Sequence, residues 1–196
     1  YCDYSTASSS IAAFCQVGAL IPKVFSGALT AQERGLAVYH GTLLEANYES
    51  GSFHYVRLRH VLEHIPNPME TLAEIHRITV AGATIEITVP NSDGLNARLF
   101  GRYWHQLDAP RHLFHYSPAV LTNLLSQFKF EKQSISFEKS YMGTSLRYWL
   151  RDNSPMWATG RRWQLIHLGL KIIRPFTSLL TGFGFGDEMT VIMVRC

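Results

Sequence analysis

The apolar positions of the chain alternate between short runs rich in β-branched and aromatic residues and stretches in which they recur every three or four residues. That alternation is the pattern of strands joined by helices in a mostly parallel α/β sheet. A first short strand is expected to end near Asp3, a second to cover Lys23 to Phe25, and a third Leu36 to His40. Ile11 to Val17 reads as a helix, with the serines at 8 to 10 as candidate N-caps. Phe53 to Leu58 (FHYVRL) is the fourth expected strand. It leads to a helix over Asn67 to Ile78, opened by Pro68 in a favoured first-turn position. Met69, Leu72, Ile75 and Ile78 follow one another at spacing three, which places them on one side of that helix. Thr84 to Val89 (TIEITV), stopped by Pro90, is the fifth strand.

The later half changes character. A loop-rich aromatic segment from Phe100 to Tyr116 precedes a helix over Pro118 to Phe128 and a strand through Ile135 and Phe137. A helical insert rich in arginine and tryptophan spans about 144 to 180, and Met189 to Val194 (MTVIMV) supplies a last strand. The predicted architecture is a Rossmann-like, doubly wound sheet with an antiparallel last strand and the insert as a helical cap. The whole of 1–196 is expected to form a single domain. Ligands of such folds bind at the carboxyl ends of the strands.

Composition narrows the function. The 196 residues are 46% hydrophobic and 17% charged, a balance that closes a core and excludes a disordered chain. The 18 Lys and Arg form no run and the net charge is only +3, so nucleic acid is not an expected partner. Cys2, Cys15 and Cys196 make no C-x-x-C pair, which speaks against a disulfide framework or a thiolate metal site and suits a cytoplasmic protein. The most apolar stretch, Leu165 to Leu180, is interrupted by His167, Lys171, Arg174 and Pro175, so it reads as amphipathic and not as a membrane span. With Trp149, Trp157 and Trp163 among arginines, the insert suits packing against the domain or a second subunit of a homodimer. That packing is the favoured reading; a peripheral membrane contact is the alternative, and a lipid-like substrate would reconcile the two. The chain opens on Tyr1 and not on Met, the start expected of a fragment or a trimmed chain.

The densest polar signal is Gly51 to Pro68, GSFHYVRLRHVLEHIPNP, where a strand runs directly into Arg59, His60, Glu63 and His64. This block resembles the fourth-strand motif of class I S-adenosylmethionine-dependent methyltransferases of the small-molecule kind. Ala81 to Asn91 (AGATIEITVPN) is similar to the fifth-strand motif of that group. Trp104 to Leu113 (WHQLDAPRHL) and Gly186 to Val191 (GDEMTV) resemble its late motifs. The resemblance implies methyl transfer from S-adenosylmethionine to a small-molecule acceptor. It implies a cofactor crevice lined by Asp3, Ser5, Ala7, Ser9, Thr42, Leu43, Arg59 and His60. It implies catalytic roles for His64, Asp108 and His112, with Arg111 and His105 binding the substrate.

The chain departs from that pattern in its first 35 residues. Ser5, Ala7 and Ser9 stand where the family has glycines, which serve positive φ or close approach of the backbone to the ligand. No Asp or Glu appears near Val24 to Leu29, where the family places an acid that grips ribose hydroxyls. These departures favour a second reading, a methyltransferase-like binding or scaffold protein without catalysis. A third reading comes from His60-Val61-Leu62-Glu63-His64, an H-x-x-E-H string of the kind used by zinc hydrolases, with Glu63 as general base. That site needs both histidines on one helical face. Pro66 and Pro68 restrict such a helix, so no metal is expected between His60 and His64. For Asp108 and Arg111, the alternative to chemistry is an ion pair that locks the loop onto the sheet.

Overall fold

A computed structural model describes residues 42–138, 140–153 and 184–196. The strands and helix expected before residue 41, and the insert from 154 onward, lie outside the described residues.

The described sheet has four strands: β1 (Phe53–Arg59), β2 (Thr79–Pro90), β3 (Phe130–Glu138) and β4 (Glu188–Arg195), in the order β1-β2-β4-β3. β1 and β2 run parallel, with Val56 opposite Ile85 and Leu58 opposite Ile87. β4 is antiparallel both to β2, with Val191 opposite Ile87, and to β3, with Val191 opposite Ile135. This is the α/β architecture with an antiparallel last strand that the sequence predicts. β2 starts at Thr79, five residues before the expected TIEITV run, because its first residues pair with Phe53 across an irregular register.

Four helices are described: α1 (Pro68–Ile78), α2 (Leu95–Phe100), α3 (Pro118–Ser126) and α4 (Met142–Asn153). In α1, Leu72, Ile75 and Ile78 are fully buried, but Met69 is 48% exposed. Each step of three residues rotates a helix position by about 60°. Three such steps span about half the circumference, wider than a core-facing stripe. Met69 therefore turns out to solvent, and Thr71 occupies the buried edge of the stripe instead. α3 opens on Pro118 with Ser117 as N-cap, its hydroxyl accepting from the Val120 amide. α2 is a helix the sequence pattern did not predict, only six residues long and burying Asn96. No described helix is long and apolar enough to cross a membrane.

A single apolar core unites the sheet with α1 and α3, through Val56, Leu58, Leu62, Ile85, Ile87, Leu121, Leu125, Phe130 and Met189 among others. Leu43, expected to border the cofactor, is packed into that core.

The carboxyl end of β2 is held from two sides. The Asn91 amide donates to the Asp187 carbonyl at 2.8 Å, and the Ser92 amide to the Tyr116 carbonyl at 2.9 Å. The Asn91 side chain donates to the carbonyl of Gly186 at 2.9 Å. Gly186 itself lies backbone against backbone with the end of β3, and a Cβ there would stand 2.7 Å from the Glu138 carbonyl oxygen. Neither partner is a flexible side chain. Gly186→Ala is expected to destabilise the fold by about 1–3 kcal/mol, the usual range for overpacking. Denaturant unfolding of the variant against the parent chain checks this.

Candidate functional site

The end of β1 departs abruptly from extended backbone. The His60 amide donates to the Thr88 carbonyl, continuing the parallel ladder, but His60 has φ of 51° and the chain then enters a 3₁₀ turn over Leu62–His64. The H-x-x-E-H string thus straddles a strand end and a single tight turn. His60 and His64 do not share a helical face, so the geometry that the zinc-hydrolase reading requires is absent from these residues.

Glu63 is the centre of this turn. Its side chain is wholly buried, and its Oε1 lies 3.2 Å from His60 Nδ1. Its main-chain oxygen accepts from both the Leu113 and Phe114 amides, at 2.8 and 3.2 Å. One residue therefore ties the end of β1 to the aromatic loop 50 positions later. Oε2 of Glu63 is buried without a hydrogen-bond partner among the described residues.

The loop delivers its histidines to the same place. His64 Nδ1 lies 2.8 Å from the Arg111 carbonyl, and the His64 and His112 rings meet edge to face with centroids 4.8 Å apart. His112 Nδ1 lies 2.7 Å from the Gln106 carbonyl, and its Nε2 is 3.9 Å from Asp108 Oδ2. A ligating atom from each of Glu63, His64 and His112 lies within 4.8 Å of the other two. Burial holds the His112 ring below the ordinary imidazole value, partly opposed by its bond to Gln106 and by the charge of Glu63. His112 is consequently uncharged at neutral pH.

Asp108 adopts the left-handed region at φ 35°, which allows the Arg111 and His112 amides to donate back to its carbonyl. Its carboxylate also takes the Arg111 guanidinium at 2.6 Å, in a pair whose arginine side is 64% exposed. The ion pair raises the Arg111 pKa further. His105 is set apart from this group. Its ring packs against Tyr141 and Tyr148, and its amide donates to Ser145 Oγ. Of the residues expected at the substrate, the structure thus brings together His64, Asp108, Arg111 and His112, while His105 packs on Tyr141 and Tyr148.

Of the residues expected at the cofactor, Asp3, Ser5, Ala7 and Ser9 lie outside the described residues. Thr42 closes a reciprocal turn with Glu45, each backbone amide donating to the other's side chain. Arg59 ends β1 opposite Thr88. His60 has one ring nitrogen on Glu63 and the other 3.5 Å from Glu188 Oε2.

The pattern reading passed over the acids behind this edge. Asp187 is wholly buried and accepts from Asn96 Nδ2 at 2.5 Å, Trp104 Nε1 at 3.1 Å and the Tyr141 amide at 2.5 Å. It thereby fastens α2, the aromatic loop and the residue before α4 to the chain just before β4. Glu188 accepts from the Tyr141 hydroxyl at 2.6 Å. The signal available in the sequence was an Asp-Glu pair set directly before a β-branched, apolar strand, where burial forces both carboxylates to find partners. Three buried carboxylates, those of Glu63, Asp187 and Glu188, therefore converge on the carboxyl edge of the sheet, with His60 between two of them.

A methyltransferase-domain family model matches residues 3–135. The chain belongs to this methyltransferase family. The match spans β1, the Glu63 turn and the aromatic loop, as well as the residues before 42. Solved structures agree in fold. An S-adenosylmethionine-dependent methyltransferase of Thermotoga maritima, titled a possible histamine N-methyltransferase, is 14% identical, with a TM-score of 0.56 over 86% of this chain and 69% of its own. One from Archaeoglobus fulgidus is 18% identical, with a TM-score of 0.54 over 85% and 71%. A geranyl diphosphate methyltransferase in complex with S-adenosylmethionine is 14% identical, with a TM-score of 0.50 over 92% and 67%. No functionally curated protein matches the chain in sequence.

In this methyltransferase domain the two flanking carboxylates raise the His60 pKa from the ordinary 6.5 to about 9, Glu188 contributing more than Glu63 and burial opposing both. A histidine with a raised folded-state pKa adds stability that is complete below its unfolded value and disappears as pH rises through the folded one. Between about pH 6.5 and 9 the parent chain is therefore expected to lose melting temperature more steeply than a His60→Gln variant. Parallel thermal melts across that range measure the difference; identical slopes would contradict it.

Proposed function

We propose that the chain transfers the methyl group of S-adenosylmethionine to an oxygen, nitrogen or carbon of a small-molecule acceptor. The observation that carries this reading is the convergence of the Glu63 turn and the aromatic loop at the carboxyl end of parallel strands, inside the segment matched by the methyltransferase family. That edge is where open α/β sheets bind ligands. The fit to the cofactor is supported by charge. S-adenosylmethionine is a sulfonium cation, and the edge concentrates buried carboxylates from Glu63, Asp187 and Glu188. Arg59 and His60 at the end of β1, with Thr42 near the start of the described chain, are the residues that would border it. When bound, the cofactor supplies an electrophilic methyl group.

The chain's own residues then have two tasks. One is orientation, because in-line placement of nucleophile and sulfonium accounts for most of such a reaction. The Glu63 carbonyl, by fixing Leu113 and Phe114, holds the loop that would position the acceptor. The other is proton removal from a hydroxyl or amine. His112 is uncharged at neutral pH and stands 3.9 Å from the Asp108 carboxylate, so this pair is the candidate proton acceptor. The exposed Arg111 carries its charge at the rim beside Asp108, where it suits an anionic acceptor group.

A methyl-labelled S-adenosylmethionine assay with small hydroxyl, amine and carboxylate compounds, read as S-adenosylhomocysteine formed, tests the reading. Transfer is expected in the parent chain, with His112→Ala lowering kcat/KM by about 100-fold, the lower range for loss of a general base. Glycines in place of Ser5, Ala7 and Ser9 are expected to tighten cofactor binding at least tenfold, since a Cβ in left-handed backbone costs roughly 1–2 kcal/mol per residue. If neither the parent nor the triple-glycine chain binds S-adenosylhomocysteine, the binding-scaffold reading replaces this one.

A further inference from the structure

We propose that Glu63, His64 and His112 form a binding site for one divalent transition cation of the zinc type. These are not the residues of the H-x-x-E-H reading, in which His60 would be a ligand and Glu63 a base. His60 faces two carboxylates, whereas His112 joins the group from the loop.

Three independent features support the site. First, a ligating atom of each residue is within 4.8 Å of the others, and two imidazoles with one carboxylate is the donor set that zinc and non-haem iron favour. Bond lengths of about 2.0–2.1 Å place neighbouring donors of a tetrahedral ion about 3.3 Å apart, so side-chain rotations would bring the three donors onto one ion. Second, Glu63 is fully buried and its Oε2 has no hydrogen-bond partner among the described residues. An unsatisfied carboxylate oxygen in the interior costs free energy unless a cation or donor meets it.

Third, both rings are already oriented. A carbonyl oxygen can only accept a hydrogen bond, so the contacts of His64 Nδ1 with Arg111 and of His112 Nδ1 with Gln106 place the proton on Nδ1 in each ring. In the neutral tautomer Nε2 then carries the lone pair in both. Donation of the second ring N–H to a backbone carbonyl is the usual support of a metal-bound histidine. The carbonyl that orients His64 belongs to Arg111, the residue before His112, so the two ligands position one another. Three protein ligands leave a fourth position open, as in catalytic and not in structural zinc sites. With both rings engaged, the basic member of the His112–Asp108 pair is Asp108.

The test uses the untagged full chain, stripped with chelator and titrated with Co²⁺ while its visible d–d absorption is followed, then with Zn²⁺ in competition. One equivalent of Co²⁺ is expected, displaced by Zn²⁺. Glu63→Gln, His64→Gln and His112→Gln are each expected to weaken binding by at least about 100-fold, more than loss of a supporting group alone. His54→Ala, an exposed histidine of β1, should leave binding unchanged. Circular dichroism of the metal-free variants checks folding, and the Zn²⁺-dependent rise in Tm, expected in the parent and absent in the variants, reads the site even in a weakened fold. No stoichiometric Co²⁺ in the parent, or binding retained in His112→Gln and lost in His54→Ala, would overturn the proposal. The readout needs no S-adenosylmethionine, so it fails or succeeds separately from the methyl-transfer assay.

Discussion

The geometry of the crevice depends on one buried acid. Glu63 has its carbonyl on the loop amides of Leu113 and Phe114 and one carboxylate oxygen on His60, all from a position without solvent contact. Burying a carboxylate is unfavourable unless its charge is compensated. The compensation comes from His60, which the left-handed turn at the end of β1 places between Glu63 and Glu188. Loop, strand end and turn are therefore coupled through a single residue, and the histidines of the loop face the sheet edge because Glu63 holds the loop there.

Asp187 plays the corresponding part on the far side. Its donors come from α2, from Trp104 at the start of the loop and from the Tyr141 amide. The loop is thus anchored at both ends by buried acids, near Trp104 by the Asp187 carboxylate and near Leu113 by the main-chain carbonyl of Glu63. Between those anchors the chain makes its own local bonds, with Asp108 accepting from Arg111 and His112. The same segment presents Arg111 to solvent.

Much of this was legible in the residues. The strands Phe53 to Leu58 and Met189 to Val194 and the helix from Pro68 follow from apolar periodicity and proline placement, which act locally. Asp108–Arg111 pairing was readable because the two residues lie three apart. The role of Glu63 was not, since it depends on amides 50 positions away. Nor was the separation of His105 from His112. Both sit in one short polar run, yet the ring of His105 packs on Tyr141 and Tyr148 while that of His112 meets His64. The outward rotation of Met69 shows the same limit at smaller scale, because a spacing of three looks like one face but drifts around the helix.

The central claim is that the carboxyl edge of β1 and β2, closed by the Glu63-held loop, is the cofactor and acceptor crevice. A crystal structure of the unaltered chain soaked with S-adenosylhomocysteine tests it most directly. The account predicts the ligand sulfur over the end of β1, beside Arg59 and His60 and open toward His64 and His112. Ligand bound on another face of the sheet, with the Glu63 turn and the aromatic loop out of reach, would contradict it.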